Sequence, residues 1–476
     1  MINLEYDSKI KEWIDKNRDS VIEKWINIAR IPAIKGEPVE GAPFGVDCAR
    51  ALDACAELFR DAGFGTETYS GGYALSGYGR GETTIGLFGH SDVVPVGDDW
   101  IYTKPFEPKV IDNTLIGRGV EDNKSGIMAS YCIMNILREY NIPLKSQVMT
   151  FIGSEEETGM TDIEAFAREQ KMPDASLVLD ADFPCSIGEK SIYHFYAKNT
   201  CRAEKILDFK GGEAFNIVLD KAKAVLEYSP ELKNVLEEKT KDRTEFGIEY
   251  DDNTITVVAK GIAKHACEPD GGINSAYLLA ELLCDVEELP ETDRDIMEDV
   301  KRILSCPYGT SMGIDHDDIR FGRLTFVNGM VSMDDGKISL SFDTRYGSTL
   351  EPEVLEKRIS ESFGRLGWTV EPLSNMKGFS IADNSPIPDK LVGIYNAVTG
   401  FEEKAIRLGG GTYARKLKNA FSVGTKTSRA DRTTPFFEMP AGHGGAHQCD
   451  EMIDLEAFFD AVRILCHYVI NIDECL

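Results

Sequence analysis

The chain has 476 residues, with 80 Asp or Glu against 52 Lys or Arg, so its formal net charge at pH 7 is −28. This length predicts two or three domains at roughly 100–200 residues each, and a composition of 42% hydrophobic and 28% charged residues excludes a disordered, collagen-like or disulfide-scaffold protein. The acidic excess argues against a broad basic face for nucleic acid or an anionic membrane, because the long-range field repels phosphate.

The distribution of apolar residues and cysteines predicts a protein that stays in a reducing compartment. No apolar run approaches the ~20 residues needed to cross a bilayer, and the start, MINLEYDSKIKEWIDKN, alternates charged and apolar residues unlike a signal peptide. The 11 cysteines are scattered without a Cys-x-x-Cys pair, which is typical of neither a zinc ribbon nor a disulfide framework. We therefore expect a cytoplasmic protein that binds no membrane and no nucleic acid.

The first part of the chain alternates helix and strand patterns, which is typical of a mostly parallel sheet covered by helices. The patterns predict helices over 47–62 and 128–139, and strands over 84–88, 147–152 and 177–179. Each strand ends in a cluster of acidic residues or histidine. In open α/β sheets, ligands bind at the carboxyl ends of the strands.

From about residue 187 the pattern changes to hairpin-like strands and longer helices. We predict helices over 215–233 and 275–288, with turns at Asn328-Gly329 and Asp335-Gly336. A strand from Lys337, a helix over 353–366 and a strand over 368–372 follow. The first pattern returns near Gly378, with a helix over 386–399. The sequence therefore predicts a domain formed by 1–186 and 378–476, with a second domain, 187–377, inserted into it.

A histidine and an aspartate follow the strand at 84–88 in the sequence Gly-His-Ser-Asp-Val-Val-Pro. His90 and Asp92 are two residues apart and point to the same face of an extended chain. The carboxylate can then hold the imidazole tautomer while the other ring nitrogen binds a metal. A structural, hydrogen-bonded histidine is the alternative.

The segment GRGVEDNKS, at 117–125, has roughly the offsets of a phosphate loop. That interpretation is disfavoured, because Asn123 stands where the loop needs glycine and no apolar strand runs directly into the segment. Glycines on both sides of Arg118 indicate a tight backbone path that presents Asp122 inward.

Three further groups of acids and histidines occur downstream. Glu155, Glu156 and Glu157 follow a buried strand; although a charge run is usually a solvated face, their repulsion there requires cations or shifted pKa values, which predicts a base beside a metal. The sequence DADFP begins at Asp180, and HGGAHQCDE lies near the C-terminus. Together these groups offer enough nitrogen and oxygen ligands for two divalent ions that clamp a water and polarise a carbonyl.

The motifs, in this order, resemble those of the co-catalytic two-metal exopeptidases, a family that includes aminoacylases, acetylornithine deacetylase, succinyl-diaminopimelate desuccinylase and carnosinases. Within it, the chain is most similar to the bacterial Xaa-His dipeptidases of the dipeptidase V type. The resemblance covers nearly the whole chain and rests on His-x-Asp-Val-Val-Pro, Gly-Arg-Gly-x-x-Asp, Glu-Glu-Thr-Gly, Leu-Asp-Ala-x-Phe-Pro and Ala-His-Gln-x-Asp-Glu. It implies an α/β fold: a three-layer αβα zinc-exopeptidase-like catalytic domain with an inserted α+β lid domain.

The resemblance implies a site for two divalent metal ions. Zinc is the expected metal, with manganese and cobalt as alternatives, because histidine and carboxylate ligands accept all three. The implied ligands are His90 and Asp180 for one ion, Glu157 and His447 for the other, and Asp122 as the bridge between them.

The resemblance also implies roles in catalysis, with Glu156 as the general base and Asp92 orienting the first histidine. In the lid, His265 corresponds to a histidine that stabilises the oxyanion and Asn216 to an asparagine that contacts the substrate. Arg345 corresponds to an arginine that holds the substrate's terminal carboxylate, a bidentate task suited to guanidinium. Without the resemblance, these three lid residues read as a loop histidine, a helix cap and a strand salt bridge.

Three positions depart from the family pattern. Relatives commonly have Asp where this chain has Asn123, Gly-Pro where it has Ser125-Gly126, and Pro where it has Cys449. No ligand is lost, but the geometry around a strained non-proline peptide at 122–123 is put in question. Cys449 is expected to pack.

The sequence therefore predicts a metallo-dipeptidase that hydrolyses the peptide bond of short peptides, Xaa-Xaa or Xaa-His. An N-acyl-amino-acid deacylase is the alternative on the same fold, and a catalytically silent metal-binding or scaffold protein is the alternative of another class. The long inserted domain is similar to the arrangement in which one chain completes its own site, so a functional monomer is expected.

Overall fold

The structure is a computed structural model that describes residues 2–383, 385–427, 438–440 and 442–476. The chain divides into two compact units: the first contains Met1–Gly188, Ile381–Ile406 and Thr412–Leu476, and the second contains Glu189–Ser380 and Arg407–Gly411. Among the helices of the described residues, none combines the length and the apolar character needed to cross a membrane.

Both units contain helices and strands. The helices are α1 (Asp7–Ala29), α2 (Val46–Asp61), α3 (Lys124–Glu139), α4 (Thr161–Glu169), α5 (Pro230–Thr240), α6 (Ser275–Leu283), α7 (Glu291–Leu304), α8 (Pro352–Gly364), α9 (Pro386–Thr399) and α10 (Leu455–Ile472), with short 3₁₀ turns at Thr310–Met312 and Tyr413–Lys416. The strands are β1 (Gly65–Tyr69), β2 (Tyr73–Tyr78), β3 (Thr84–His90), β4 (Lys109–Ile111), β5 (Thr114–Ile116), β6 (Gln147–Gly153), β7 (Ala175–Ala181), β8 (Ser186–Glu189), β9 (Ser191–Asn199), β10 (Ile206–Gly211), β11 (Lys221–Glu227), β12 (Phe246–Tyr250), β13 (Thr254–Lys260), β14 (Asp317–Asp318), β15 (Gly322–Arg323), β16 (Thr325–Asp334), β17 (Lys337–Tyr346), β18 (Trp368–Met376), β19 (Phe379–Ser380), β20 (Ile406–Leu408), β21 (Ala420–Gly424) and β22 (Met452–Asp454).

The first unit is built on a sheet with the strand order β1-β2-β6-β3-β7-β21. Strands β6, β3, β7 and β21 run parallel, and β1 and β2 join the edge in the antiparallel sense. Every residue of β3 is buried, as expected of a central strand covered on both faces. Helix α3 is buried over residues 124–137 and packs against β3 and α10, so the core of this unit lies between the sheet and these helices.

The second unit is built on an antiparallel sheet with the strand order β12-β13-β11-β10-β16-β17-β9-β18. Helices α5 to α8 belong to this unit, and its core contains a cluster of stacked and edge-on rings from Phe195, Phe326, Phe342 and Phe363. An antiparallel sheet with its own helices is the α+β arrangement expected of the inserted domain.

Arg407–Gly411 belongs to the second unit, although the sequence analysis places it in the returning segment 378–476. Two hydrogen bonds to residues of the second unit explain the difference. The N–H of Lys190 donates to the carbonyl of Leu408 at 3.0 Å, and Arg345 Nη1 donates to the carbonyl of Gly409 at 3.0 Å.

Two predictions for the second unit are wrong. Residues 215–233 do not form one helix: 221–227 form β11, whose burial alternates along the strand, and α5 begins only at Pro230, where the Ser229 side chain accepts the Leu232 N–H. The spacing of apolar residues there fits the period of a helix as well as that of a strand. Pairing with β10 and β13 selects the strand.

The hairpin turn predicted at Asn328-Gly329 is also wrong, because both residues lie inside β16 at a shift of register against β17. The Asn328 side chain donates to the carbonyls of Met330 and Ser341, which satisfies the irregular backbone. The turn at Asp335-Gly336 is confirmed: both residues have positive φ, 50° and 71°, as a two-residue hairpin requires.

A half-buried ion pair joins the two ends of the first unit and makes its stability depend on pH. Asp7, at the start of α1, accepts from Arg463 Nε at 2.5 Å and lies 3.1 Å from His467 Nε2 on α10. Burial raises the pKa of Asp7, but the hydrogen bonds from Arg463 and His467 outweigh it and hold the pKa well below 3.8. This stabilisation is therefore complete above the ordinary carboxyl pKa and disappears as the pH falls towards the folded-state value.

We expect Asp7→Asn to lower the free energy of unfolding at pH 7 by about 1.5–3 kcal/mol, the usual worth of a hydrogen bond to a charged group. Urea unfolding at a series of pH values measures the difference from the unmodified chain. It should shrink as the pH falls below about 4, because Asp7 takes up protons in the unfolded chain while the paired Asp7 of the folded chain stays ionised. A difference that stays constant down to pH 3 would contradict this assignment.

Candidate active site

The carboxyl ends of three parallel strands bring the acidic motifs to one edge of the first sheet. Strand β3 ends at His90, which lies opposite Gly153 at the end of β6. Strand β7 ends one residue after Asp180. The acids 155–157 begin two residues after the end of β6, so the histidine and the carboxylates meet where the sequence predicts a ligand site.

Asp122 lies between the two histidines of the site. Its Oδ1 is 3.1 Å from His90 Nε2, and its Oδ2 is 3.1 Å from His447 Nε2. One carboxylate thus presents one oxygen to each imidazole, the geometry expected of a ligand shared by two ions. Helix α3 begins two residues later, at Lys124, and its N-terminus favours negative charge there.

Each histidine has a second acidic partner. His90 Nε2 is 3.7 Å from Asp180 Oδ2, and His447 Nε2 is 3.1 Å from Glu157 Oε2. Within the described residues, two groups have ligand atoms within 4.8 Å of one another, and each could hold a metal ion. They consist of His90, Asp122 and Asp180, and of Asp122, Glu157 and His447.

Asp92 orients both the first histidine and the acidic segment. Its Oδ1 is 3.3 Å from His90 Nδ1, and its carboxylate accepts the backbone N–H groups of Glu156 at 3.2 Å and Glu157 at 3.1 Å. Burial raises the pKa of Asp92, but its hydrogen bonds, that from His90 first, bring the net pKa below 3.8. The carboxylate is thus ionised and leaves Nε2 of His90 directed at the acidic cluster.

Glu156 has the properties of a group that exchanges protons. It is buried, and its Oε1 has no hydrogen-bond partner among the described residues. Burial raises the pKa of Glu156 well above its ordinary value; the charge of His90 opposes this shift and those of Asp180 and Glu157 add to it. A general base that later returns its proton needs such a raised pKa.

The other titratable groups of the cluster show how much negative charge is concentrated there. Burial, with the charge of Asp122 next, raises the pKa of Asp180 to about 7, and burial also raises the pKa of Glu157. Both histidines have pKa values well above 6.5, because neighbouring carboxylates outweigh their burial. Imidazole nitrogens and carboxylate oxygens that together need positive charge are a donor set that fits divalent cations.

Asn123 holds two of the candidate ligands in place, and sequence reasoning counted it only as a departure from the family pattern. Its Oδ1 accepts the His90 N–H at 3.3 Å, and its Nδ2 donates to Asp180 Oδ1 at 2.9 Å. The peptide bond between Asp122 and Asn123 is cis. An ionised aspartate at this position has no donor for Asp180, so the amide is suited to this arrangement.

Asp162 and Tyr413 were missed by sequence reasoning. The Asp162 carboxylate accepts the N–H groups of Ser154 at 2.7 Å and Glu155 at 3.0 Å, and the hydroxyl of Tyr413 at 2.5 Å. It therefore fixes the start of the acidic segment, as Asp92 fixes its end. Because Tyr413 lies 251 residues further along the chain, no local pattern links the pair.

The structure disfavours the phosphate-loop interpretation of 117–125. Lys124 is fully buried, its Nζ donates to the carbonyl of Ser91 at 3.0 Å, and burial lowers its pKa. Its ammonium group therefore supports the backbone after His90. Gly119 has φ 78°, which is consistent with the tight path predicted there.

The three predicted lid residues all lie in the second unit. The segments of Asn216 and His265 pair directly, since the Ala266 N–H donates to the Asn216 carbonyl at 2.8 Å. The backbone N–H of Cys267 donates to His265 Nδ1 at 3.2 Å, so the neutral ring carries its proton on Nε2. In this tautomer, Nε2 is a hydrogen-bond donor.

Arg345 is held rigidly within the second unit. Its Nε and Nη2 bind the Asp343 carboxylate at 3.0 and 3.1 Å, and its Nη1 donates to the Gly409 carbonyl. The pKa of Asp343 is well below 3.8, because the charge of Arg345 and a hydrogen bond from His194 outweigh its burial. The remaining N–H groups of Nη1 and Nη2 form the fork that could bind a second carboxylate.

Residues 86–471 match the family described as Peptidase family M20/M25/M40. The chain belongs to this peptidase family. The M20/M25/M40 family is metal-dependent, and the two groups that share Asp122 are candidates for its metal ligands. The family and the α/β fold expected from the sequence motifs are thereby confirmed.

Two relatives and two solved structures are similar to this chain over almost its full length. The Putative dipeptidase YtjP of Bacillus subtilis is 28% identical over 457 residues, covering 93% of this chain and 94% of the relative. A Putative dipeptidase of Staphylococcus aureus (strain bovine RF122 / ET3-1) is 26% identical over 469 residues, covering 95% and 97%. Human carnosine dipeptidase 1 matches with a TM-score of 0.63 at 14% identity, covering 98% and 99%, and the di-peptidase Dug1p from Saccharomyces cerevisiae with 0.62 at 13%, covering 98% of each chain. The structural matches show a shared fold.

Proposed function

We propose that this protein is a metal-dependent dipeptidase that hydrolyses the peptide bond of short peptides, Xaa-Xaa or Xaa-His. The observation that carries the proposal is the position of Asp122, with one oxygen towards each histidine and the buried Glu156 beside the cluster. The names of the relatives that align over almost the full length, which describe dipeptidases, support it.

We assign His90 and Asp180 to one divalent ion, Glu157 and His447 to a second, and Asp122 to both. Zinc is the expected metal, with manganese and cobalt as alternatives, because the donor set accepts all three. When bound in such a site, divalent cations lower the pKa of water and polarise a carbonyl oxygen. Asp92 orients His90 through Nδ1 and so leaves Nε2 for ligation.

Glu156 is the proton carrier of the proposed reaction. Its carboxylate takes a proton from the attacking water as the water oxygen bonds to the scissile carbonyl carbon. It then gives that proton to the amine nitrogen as the C–N bond breaks, so the carboxylate is regenerated. The unpartnered, buried Oε1 is available for both transfers.

The residues of the second unit are assigned to the substrate. His265 donates from Nε2 to the developing oxyanion, Asn216 contacts the substrate, and Arg345 binds its terminal carboxylate. We propose that the free amine binds near the acidic cluster, and that recognition of both charged ends of the substrate favours dipeptides over longer peptides.

A panel of dipeptides tests the function, each paired with its N-acetylated form. Metal-stripped protein is refilled separately with zinc, manganese and cobalt, and released amines are measured with ninhydrin. Cleavage of the free dipeptides alone supports the proposal. Cleavage of the acetylated set supports an N-acyl-amino-acid deacylase, and metal binding with no hydrolysis supports a silent metal-binding or scaffold protein.

We expect His265→Ala to lower kcat by about 10²–10³-fold, the usual effect of losing one oxyanion donor. Metal content should not change, because every proposed ligand lies in the first unit. Steady-state kinetics and elemental analysis measure the two effects. A normal kcat would remove His265 from this role.

We further propose that the enzyme acts as a monomer in the cytoplasm. The described cysteines are all free thiols, which fits a reducing compartment. Mixing inactive His265→Ala and Glu156→Ala proteins should restore no activity if each chain completes its own site. Recovery in the mixture would instead show that two chains share a site.

A further inference from the structure

A buried carboxylate organises the backbone that carries Asp122. Glu451 is fully buried, and its Oε1 accepts the N–H groups of Glu121 at 2.9 Å and Asp122 at 3.0 Å. Its Oε2 accepts the N–H of Gly119 at 3.0 Å and Arg118 Nη1 at 2.7 Å. The four hydrogen bonds fill both oxygens, so this carboxylate is committed to the loop that presents Asp122.

Arg118, the partner of Glu451, holds the segment that carries His447. Its side chain is buried, and it donates from Nη1 to the Gln448 carbonyl at 3.1 Å and from Nη2 to the His447 carbonyl at 3.3 Å. Nη2 also donates to the carbonyl of Pro95 at 3.1 Å, in the segment that follows Asp92. One guanidinium therefore joins the segment that follows Asp92 to the segment that carries His447, although the two are distant in sequence.

We infer that the Arg118–Glu451 pair is a positioning device for the metal centre, setting the distance between Asp122 and His447. Arg118 lies four residues before Asp122 and binds the backbone of the His447 segment. Glu451 lies four residues after His447 and binds the backbone of the Asp122 loop. The 3.1 Å contact between Asp122 Oδ2 and His447 Nε2 is the result. Neither residue of the pair belongs to the candidate ligand groups.

The inference rests on the metal site of the proposed function, and metal affinity tests it without reference to hydrolysis. Glu451→Gln keeps the shape of the side chain but places an NH₂ group against N–H donors. Arg118→Lys keeps the charge but loses the fork that reaches several carbonyls. Asp293→Asn is the matched control, because Asp293 is also fully buried and accepts three backbone N–H groups, those of Glu204, Lys205 and Ile206, within the second unit.

Zinc affinity is measured on metal-stripped full-length proteins by competition with a chromophoric chelator, and folding is checked by thermal unfolding. Glu451→Gln and Arg118→Lys should each bind zinc about 10- to 100-fold more weakly, the usual cost of losing a group that orients metal ligands. Excess zinc should then restore much of their lost turnover. Asp293→Asn should bind zinc as the unmodified protein does, even where its melting temperature falls.

Unchanged zinc affinity in a folded Glu451→Gln or Arg118→Lys protein would overturn the inference. If Glu451→Gln does not fold, the more conservative Arg118→Lys decides. If the unmodified protein binds zinc but cleaves no dipeptide, the proposed reaction is refuted. The ratio of zinc affinities between each variant and the unmodified protein still tests the role of the pair. A protein that binds no zinc at all would refute the metal site and this inference together.

Discussion

Replacing Glu156 by glutamine should lower kcat by about 10²–10⁴-fold, the range expected for loss of a positioned acid and base. The amide keeps the size of the side chain but cannot accept the proton of the attacking water. Because Glu156 belongs to neither candidate ligand group, zinc content and affinity should stay close to those of the unmodified protein. Kinetics on the cleaved dipeptide and elemental analysis of the same preparation measure both quantities.

Glu155→Gln is the matched control for this experiment. Glu155 is one residue away and is also buried, but its Oε2 accepts the N–H of Thr161 at 3.0 Å and its Oε1 pairs with Lys35. Its substitution should lower stability while most of the turnover remains. Full turnover in Glu156→Gln, or a larger loss in Glu155→Gln, would move the proton carrier to another residue.

Replacing Asp122 by alanine should have the broadest effect on metal content, because this carboxylate belongs to both candidate groups. We expect the dialysed protein to retain less than one zinc ion per chain and to lose about 10³-fold or more in turnover. Lewis-acid stabilisation is worth several kcal/mol, and each 1.36 kcal/mol is a factor of ten in rate. Elemental analysis after dialysis, together with kinetics at fixed zinc, measures both.

Asp180→Ala and Glu157→Ala provide the comparison, since each belongs to one group alone. Each should lose one ion and retain the other, so their zinc contents should lie between those of the Asp122 variant and the unmodified protein. Equal zinc loss in all three variants would indicate that the ions bind only as a pair. Retention of two ions by Asp122→Ala would contradict its bridging role.

Sequence patterns predicted the strands β3, β6 and β7 of the first unit, because these strands are continuous apolar runs followed by acids or histidine. The predictions at 84–88 and 147–152 correspond to β3 and β6, and the helix at 386–399 has the bounds of α9. The error at 215–233 arose in the second unit, where apolar spacing suits a helix or a half-buried strand. There the neighbouring strands of the sheet decide between the two.

The candidate ligands were accessible from the sequence, because each follows an apolar strand or stands in a compact motif. Their roles came from the order of the motifs and not from spacing, which does not distinguish Glu155, Glu156 and Glu157. The structure separates them by their contacts. Asp162 accepts the N–H of Glu155. Glu157 belongs to a candidate ligand group, whereas Glu156 has a buried carboxylate oxygen without a hydrogen-bond partner among the described residues.

By itself, the sequence determined the family, the α/β class and the set of polar residues from which a metal site could be built. The tertiary structure alone decided how those residues are held. The contacts of Tyr413 with Asp162 and of Arg118 with Glu451 join positions 251 and 333 residues apart. No local preference encodes such contacts, because they form only when the sheet and its helices pack and bury these polar groups, which then require partners.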